Sequence, residues 1–92
     1  MLVLLAYDIA NPRRLRRVAE ACQDYGIRLQ KSLFECWLEP SQFDCLWHRL
    51  EAIADPAEDS IVAYFLDRRA ASRRLGLGEN LAFSLPAPWY LY

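Results

Sequence analysis

The chain has 92 residues, of which 54% are hydrophobic, and a formal net charge of −1. These values fit one small folded domain and argue against disorder and against a strongly basic protein that coats nucleic acid. The apolar runs are of strand length and interrupted by charge, so none could span a membrane, and the start lacks the pattern of a signal peptide. We expect a single cytoplasmic domain over residues 1–92.

The first third of the chain predicts a strand followed by a helix. Residues 2–9 form an apolar run interrupted only by Asp8, which is typical of a central strand covered on both faces. Asn11 then offers a helix N-cap, and Pro12 suits the first helical position. Apolar side chains recur at helical spacing as far as Tyr25, and Gly26 is predicted to follow the helix as its C′ residue.

The middle of the chain predicts a broken strand and a second helix. Residues 28–38 have an extended pattern, but their apolar side chains change face near Lys31, which indicates a bulge between two short strands. A helix is predicted after Pro40, with Ser41 and Asp44 as a capping box. Its apolar stripe is predicted to comprise Phe43, Leu46, Trp47, Leu50 and Ile53.

The last third predicts one full strand and a tail. Residues 60–66 have a strand pattern, an arginine-rich turn follows, and a short strand is predicted near 81–84. The end of the chain is too apolar to be left in water on a small monomer, so we expect residues 78–92 to pack on a partner chain. The element order predicts an α+β fold, with a ferredoxin-like β-α-β-β-α-β core and an additional C-terminal strand.

The cysteines and the histidine give no sign of a metal site. Cys22, Cys36 and Cys45 lie among apolar neighbours without a C-x-x-C pair, so we expect buried free thiols. The one histidine, His48, is predicted to be a surface or interface residue of the second helix. Because metal-free ribonucleases normally use histidine as acid or base, the sequence offers no such group near Asp8.

Asp8 is the only carboxylate in the first nineteen residues, and a group of arginines follows it. It could cap the turn after its strand, or it could bind a metal ion beside a phosphate-binding surface. The arginines fit either solvated helix faces or contacts to a polyanion. Since one carboxylate binds Mg²⁺ poorly, a twofold-related copy of Asp8 would supply a second ligand. The isolated acid therefore favours a dimer with Asp8 near its axis.

Three segments together resemble the CRISPR-associated protein 2 family across residues 2–67. They are Tyr-Asp-Ile at 7–9, the arginine-rich helix start that ends in Arg-Arg-Val at 16–18, and Gln-Lys-Ser-Leu-Phe-Glu at 30–35. The resemblance implies a homodimer whose C-terminal strands cross to the partner's sheet. It also implies a role in spacer acquisition beside the CRISPR integrase, CRISPR-associated protein 1, and Mg²⁺-dependent endonuclease activity on single-stranded RNA or double-stranded DNA.

The same resemblance assigns the site residues. It implies that Asp8 is catalytic and binds Mg²⁺ or Mn²⁺, and that Tyr7 is its catalytic neighbour. The nucleic-acid-binding residues it implies are Arg17, Arg28, Ser32 and Phe34, and we add Arg14 and Arg16, which flank Leu15. Lys31 stands where an aromatic residue is frequent in the family, and Leu15 stands where some members have arginine, so the substrate preference stays open.

Two other functions fit the same residues. A non-catalytic dimeric adaptor would bridge the integrase and lay its arginines along the phosphates of duplex DNA. A sensor or toxin-like module of the same fold would have a ligand cleft, or a ribonuclease activity that survives loss of Asp8.

Overall fold

A computed structural model describes residues 1–78, in which the predicted β-α-β-β-α-β order is present and a short helix, not predicted from the sequence, follows the last of these strands. The elements are β1 (Leu2–Asp8), α1 (Pro12–Tyr25), β2 (Ile27–Gln30), β3 (Leu33–Trp37), α2 (Pro40–Ile53), β4 (Ser60–Leu66) and α3 (Arg68–Ala71). The predicted strand near 81–84 and the tail beyond residue 78 lie outside the described residues. Within residues 1–78, no helix is long and apolar enough to cross a membrane.

The four strands form an antiparallel sheet in the order β2-β3-β1-β4, with α1 and α2 against one face. Alternate residues of β1, namely Val3, Leu5 and Tyr7, belong to the core that the helices cover. Their neighbours Leu4 and Ala6 point to the opposite, open face and are only half-buried. The ferredoxin-like α+β fold is therefore confirmed. Within residues 1–78 the opposite face of β1 is covered in part, because Leu2 is buried there whereas Leu4 and Ala6 are half-buried.

The predicted irregularity between the second and third strands is present. The register shifts between Arg28, which pairs with Phe34, and Gln30, which pairs with Leu33. This shift lets the buried side chains of β3 face the helices although the two strands are joined by a very short turn.

The start of α2 differs from the prediction. The helix begins two residues earlier than the predicted N-cap Ser41 implies, because Pro40 occupies the first turn and Glu39 becomes the N-cap. The backbone N–H of Glu39 donates to Oε1 of Gln42 over 2.8 Å. Gln42 therefore takes the capping position that the sequence pattern had given to Asp44.

Gly26 follows α1 as predicted, but for a different physical reason. Its φ of −158° is extended backbone that any residue adopts, so no left-handed cap is involved. A Cβ at this position would lie 2.4 Å from Sγ of Cys36 and 2.5 Å from the carbonyl oxygen of Glu35. The glycine therefore permits the close approach of α1's end to β3.

Two of the three cysteines are buried thiols, as predicted. Cys22 and Cys36 are fully buried, whereas Cys45 is exposed on α2 and corrects the expectation for that residue. Burial raises the pKa of Cys22 to about 11 and that of Cys36 to about 12, because a thiolate is poorly solvated in the core. His48 lies on the surface, as expected.

The chain after β4 turns back towards the open face of the sheet. Asp67 caps α3 by accepting the backbone N–H of Ala70, and Arg74 then forms an ion pair with Glu35 of β3. The Glu35 side chain is only 1% exposed, and its burial raises its pKa even though Arg74 opposes that rise. The arginine-rich turn, for which the sequence allowed either a solvated face or contacts to a polyanion, therefore supplies a partner to a buried carboxylate.

Candidate functional site

An open cleft of about 670 Å³ lies where β1 ends, between α1 and the β2–β3 turn. Five of the predicted site residues line it, namely Tyr7, Asp8, Arg16, Arg28 and Ser32. They come from β1, α1, β2 and the β2–β3 turn, which all meet at this edge. A backbone hydrogen bond of 3.1 Å from Tyr7 to Ser32 holds two of these segments together.

Tyr7 and Arg28 form one wall of the cleft. The Tyr7 ring stacks on Phe34 with 6.2 Å between the ring centres, and its hydroxyl donates to the carbonyl oxygen of Lys31 over 3.4 Å. Burial raises the pKa of Tyr7, an effect that Arg28 beside it opposes. The phenol is therefore a neutral hydrogen-bond donor at neutral pH and fixes the turn that carries Lys31.

Phe34 supports this wall from within the core. It has no exposed surface, and the Arg28 guanidinium lies 5.2 Å from the centre of its ring. The expectation that Phe34 contacts nucleic acid is corrected in this respect, since a fully buried ring can act only through Tyr7 and Arg28.

Asp8 occupies the rim of the cleft at the end of β1. Its backbone pairs with Ser60 of β4, and its side chain is exposed. Within residues 1–78 no hydrogen bond or ion pair occupies its carboxylate. An accessible, unpaired acid at a strand end has its lone pairs available for a cation or a proton donor.

The other predicted arginines have different surroundings. Arg17 is exposed on α1 and does not line the cleft. Arg14 is half-buried and makes ion pairs with Asp59 and Glu58, at 2.8 and 3.0 Å. Arg16 and Arg28 therefore line the cleft, whereas Arg17 lies on the neighbouring surface. Arg14 forms ion pairs with two acidic side chains instead.

Three polar residues that were not assigned to the site also line the cleft. Glu20 and Gln23 follow Arg16 at spacings of four and seven residues, and Lys31 lies in the β2–β3 turn. The helical spacing was visible in the sequence and could have found the first two. The charged lining thus comprises three cations against two carboxylates, which favours an anionic ligand.

The donor set limits how a metal ion could bind. Among residues 1–78, no three His, Cys, Asp or Glu side chains come together as a metal cluster. Mg²⁺, however, is commonly held by one or two carboxylates while water and substrate phosphates complete its shell. The accessible Asp8 beside Arg16, Arg28 and Lys31 fits an ion of that kind, and the part of the chain that the structure describes does not provide a complete protein cage.

The fold and the cleft define a small ferredoxin-like protein with an accessible carboxylate beside a basic surface. The family model for CRISPR associated protein Cas2 matches residues 1–74. The chain therefore belongs to the Cas2 family, as its sequence motifs indicated.

Relatives match nearly the whole chain. It is 40% identical to the CRISPR-associated endoribonuclease Cas2 of Nitratidesulfovibrio vulgaris, covering 99% of this chain and 94% of the relative. It is 36% identical to the CRISPR-associated endonuclease Cas2 of Halalkalibacterium halodurans, covering 96% and 97%. The crystal structure of Streptococcus pyogenes Cas2 at pH 6.5 superposes with a TM-score of 0.75 at 43% identity, covering 85% of this chain and 100% of that one.

Proposed function

We propose that this protein is a metal-dependent endonuclease that acts in CRISPR adaptation. The observation that carries the proposal is the exposed, unpaired Asp8 carboxylate on the rim of a cleft lined by Arg16, Arg28 and Lys31. Relatives that match nearly the whole chain are named endoribonuclease or endonuclease, which supports cleavage of a phosphodiester backbone. Single-stranded RNA is the first substrate to test, and double-stranded DNA is the second.

The chain's own residues would bind and orient the substrate. Arg16 and Arg28 would neutralise phosphate oxygens, and the cation–π contact to Phe34 would hold Arg28 in place. Tyr7 would keep the β2–β3 turn, and with it Lys31 and Ser32, at the wall of the cleft. Asp8 would hold Mg²⁺ or Mn²⁺, which supplies Lewis acidity and a bound water of lowered pKa.

A homodimer would complete this site. Asp8 alternates onto the same open face of the sheet as Leu4 and Ala6, and Val62 and Tyr64 of β4 are 44% and 59% exposed there. A second copy packed on this face would cover that apolar surface and bring a second Asp8 nearby. We also propose that residues 78–92 pack on the partner, so deleting 86–92 should shift the dimer towards monomer in light scattering.

The test of catalysis compares wild type with Asp8→Ala on labelled single-stranded RNA and duplex DNA, with and without Mg²⁺ or Mn²⁺. Asp44→Ala is the matched control, because Asp44 is an exposed acid on α2 outside the cleft. We expect metal-dependent cleavage by wild type and by the control, and none by Asp8→Ala. Equal cleavage by all three proteins, or cleavage without metal, would contradict the assignment of Asp8.

A second function, that of an adaptor, is favoured by the arginines outside the cleft. Arg13 and Arg17 are exposed on α1, and within residues 1–78 neither makes an ion pair with an acid. We propose that this surface contacts DNA phosphates while the dimer binds the CRISPR integrase. Changing Arg16 and Arg17 to Glu should weaken duplex DNA binding, whereas Asp8→Ala should leave it intact. DNA and integrase binding by a protein that cleaves nothing would assign the adaptor function alone.

A further inference from the structure

The Asp59 carboxylate lies outside the cleft and accepts four hydrogen bonds. Asp59 precedes β4, and its side chain is only 1% exposed. Its Oδ1 accepts the backbone N–H of Ala10 over 2.9 Å, and its Oδ2 accepts that of Asp55 over 2.8 Å. Arg14 donates to both oxygens, at 2.8 and 3.2 Å. One carboxylate therefore joins the β1–α1 turn, the first turns of α1 and the α2–β4 loop.

These bonds fix the backbone on either side of Asp8. Ala10 lies two residues after Asp8, and Asp59 lies one residue before Ser60, which pairs with Asp8 in the sheet. On the opposite side of β1, the N–H of Tyr7 donates to Ser32. The direction in which the chain leaves β1, and with it the Asp8 side chain, therefore depends on the bond between Ala10 and Asp59.

Arg14 is bound to the acids before β4 and is not available to the basic surface in the way that Arg16 and Arg17 are. Its guanidinium contacts two carboxylates, those of Asp59 and Glu58, and its side chain is 22% exposed. These contacts hold the pKa of Asp59 well below its usual range, so the carboxylate stays ionised and keeps its acceptors. A phosphate that approached Arg14 would compete with two acids, which is not the case for Arg16 or Arg17 within residues 1–78.

We propose that Asp59 and Arg14 are positioning residues that together hold Asp8 at the rim of the cleft. The catalytic consequence of this inference rests on the proposed nuclease function, whereas its structural part does not. Asp59 acts through the backbone of the β1–α1 turn and does not touch the substrate. Arg14 acts through Asp59, whose charge and orientation it maintains.

The structural part is tested without any catalytic readout. Hydrogen exchange and the carboxyl chemical shift of Asp8 would be measured by NMR in wild type, Asp59→Asn and Arg14→Gln. The matched control is Asp24→Asn, which breaks the ion pair of 2.7 Å between Asp24 and Arg49 near the opposite end of α1. In Asp59→Asn and Arg14→Gln we expect faster hydrogen exchange of the Ala10 amide and a changed carboxyl chemical shift of Asp8. The control should show neither change. An unchanged Asp8 signal would overturn the proposal.

The catalytic part is tested by separating kcat from KM. If wild type cleaves, we expect Asp59→Asn, Arg14→Gln and the double variant to lose a similar factor of about 10–100 in kcat with KM unchanged. If Arg14 instead contacts phosphate, Arg14→Gln alone would raise KM and reduce the salt dependence of RNA binding by about 0.7 in slope. That result would overturn the proposal.

Failure of the two proposals can be told apart. If wild type does not cleave, the nuclease assignment fails. The carboxyl chemical shift of Asp8 then decides by itself whether Asp59 and Arg14 position this residue. If Asp59→Asn does not melt cooperatively, Arg14→Gln and Arg14→Lys take its place. The lysine variant keeps the charge but cannot span both carboxylate oxygens, so we expect its Asp8 signal to lie between those of wild type and Arg14→Gln.

Discussion

The Arg28 guanidinium lies 5.2 Å from the centre of the Phe34 ring, and Phe34 has no exposed surface. An exposed cation of the cleft is therefore oriented by a residue of the core. The same ring stacks on Tyr7, so a change at Phe34 reaches two site residues at once. Substrate binding and core packing are coupled at this position.

Phe34→Leu should weaken nucleic-acid binding although Phe34 cannot touch the ligand. Loss of ring volume should lower the free energy of unfolding by about 1–2 kcal/mol, and Arg28 should lose its fixed position. Chemical denaturation and RNA binding would be measured in parallel. Leu46→Ala, which removes a fully buried side chain of α2, is the control for stability alone. If Phe34→Leu were destabilised and still bound RNA like wild type, the coupling would be wrong.

Breaking the ion pair between Glu35 and Arg74 should destabilise the fold. Glu35→Ala removes one partner of a largely buried cation, and we expect a cost of about 3 kcal/mol in the free energy of unfolding. Arg74→Ala leaves a buried carboxylate without this partner and should cost a similar amount.

The double variant tests whether the two residues act as a pair. Because each single change removes the same contact between Glu35 and Arg74, the double change should cost clearly less than the two single changes together. Urea unfolding of all four proteins gives the coupling energy. Additive costs would show that Arg74 stabilises the chain through its other contacts.

Much of the fold could be predicted because it depends on local signals. The N-cap Asn11 and the change of face near Lys31 each act within a few residues, and both features are present. The motif around Tyr7 and Asp8 likewise located one wall of the cleft. Contacts between residues far apart in the sequence could not be predicted from these local patterns. The bond from Ala10 to Asp59 spans 49 residues, and nothing near Arg14 in sequence indicates its acidic partners.

Gly26→Ala should destabilise the fold because the added methyl group would clash with β3. The new methyl would lie 2.5 Å from the carbonyl oxygen of Glu35, a backbone atom in the middle of the sheet that cannot move away cheaply. Overpacking of this kind costs about 1–3 kcal/mol. Gly26→Ala combined with Cys36→Ala relieves only the contact with the sulfur, so it should not restore wild-type stability. Full recovery in denaturation experiments would place the strain at Cys36 alone.

The thiols should differ sharply in reactivity. Cys45 is exposed, whereas Cys22 and Cys36 are buried with pKa values raised to about 11 and about 12. Since the thiolate is the nucleophile, iodoacetamide at pH 8 should label Cys45 in the folded protein and the other two only after unfolding. Mass spectrometry of digested samples measures each site. Rapid labelling of Cys36 in the native protein would indicate that the α1–β3 packing opens readily.

Asp59 and Glu35 should shape the acid stability of the protein with opposite signs. The pKa of Asp59 is lowered, mainly by Arg14, so its contribution is complete above the usual Asp pKa of about 3.9 and is lost as the pH falls below it. The pKa of Glu35 is raised by burial, so its contribution to stability is complete below about pH 4.3 and is lost as the pH rises.

Urea unfolding between pH 6 and pH 2.5 would measure both contributions to the free energy of unfolding. Relative to wild type, Asp59→Asn should flatten the fall in stability towards low pH and Glu35→Gln should steepen it. An Asp59→Asn profile parallel to that of wild type would mean that Asp59 is not ionised against Arg14 in solution.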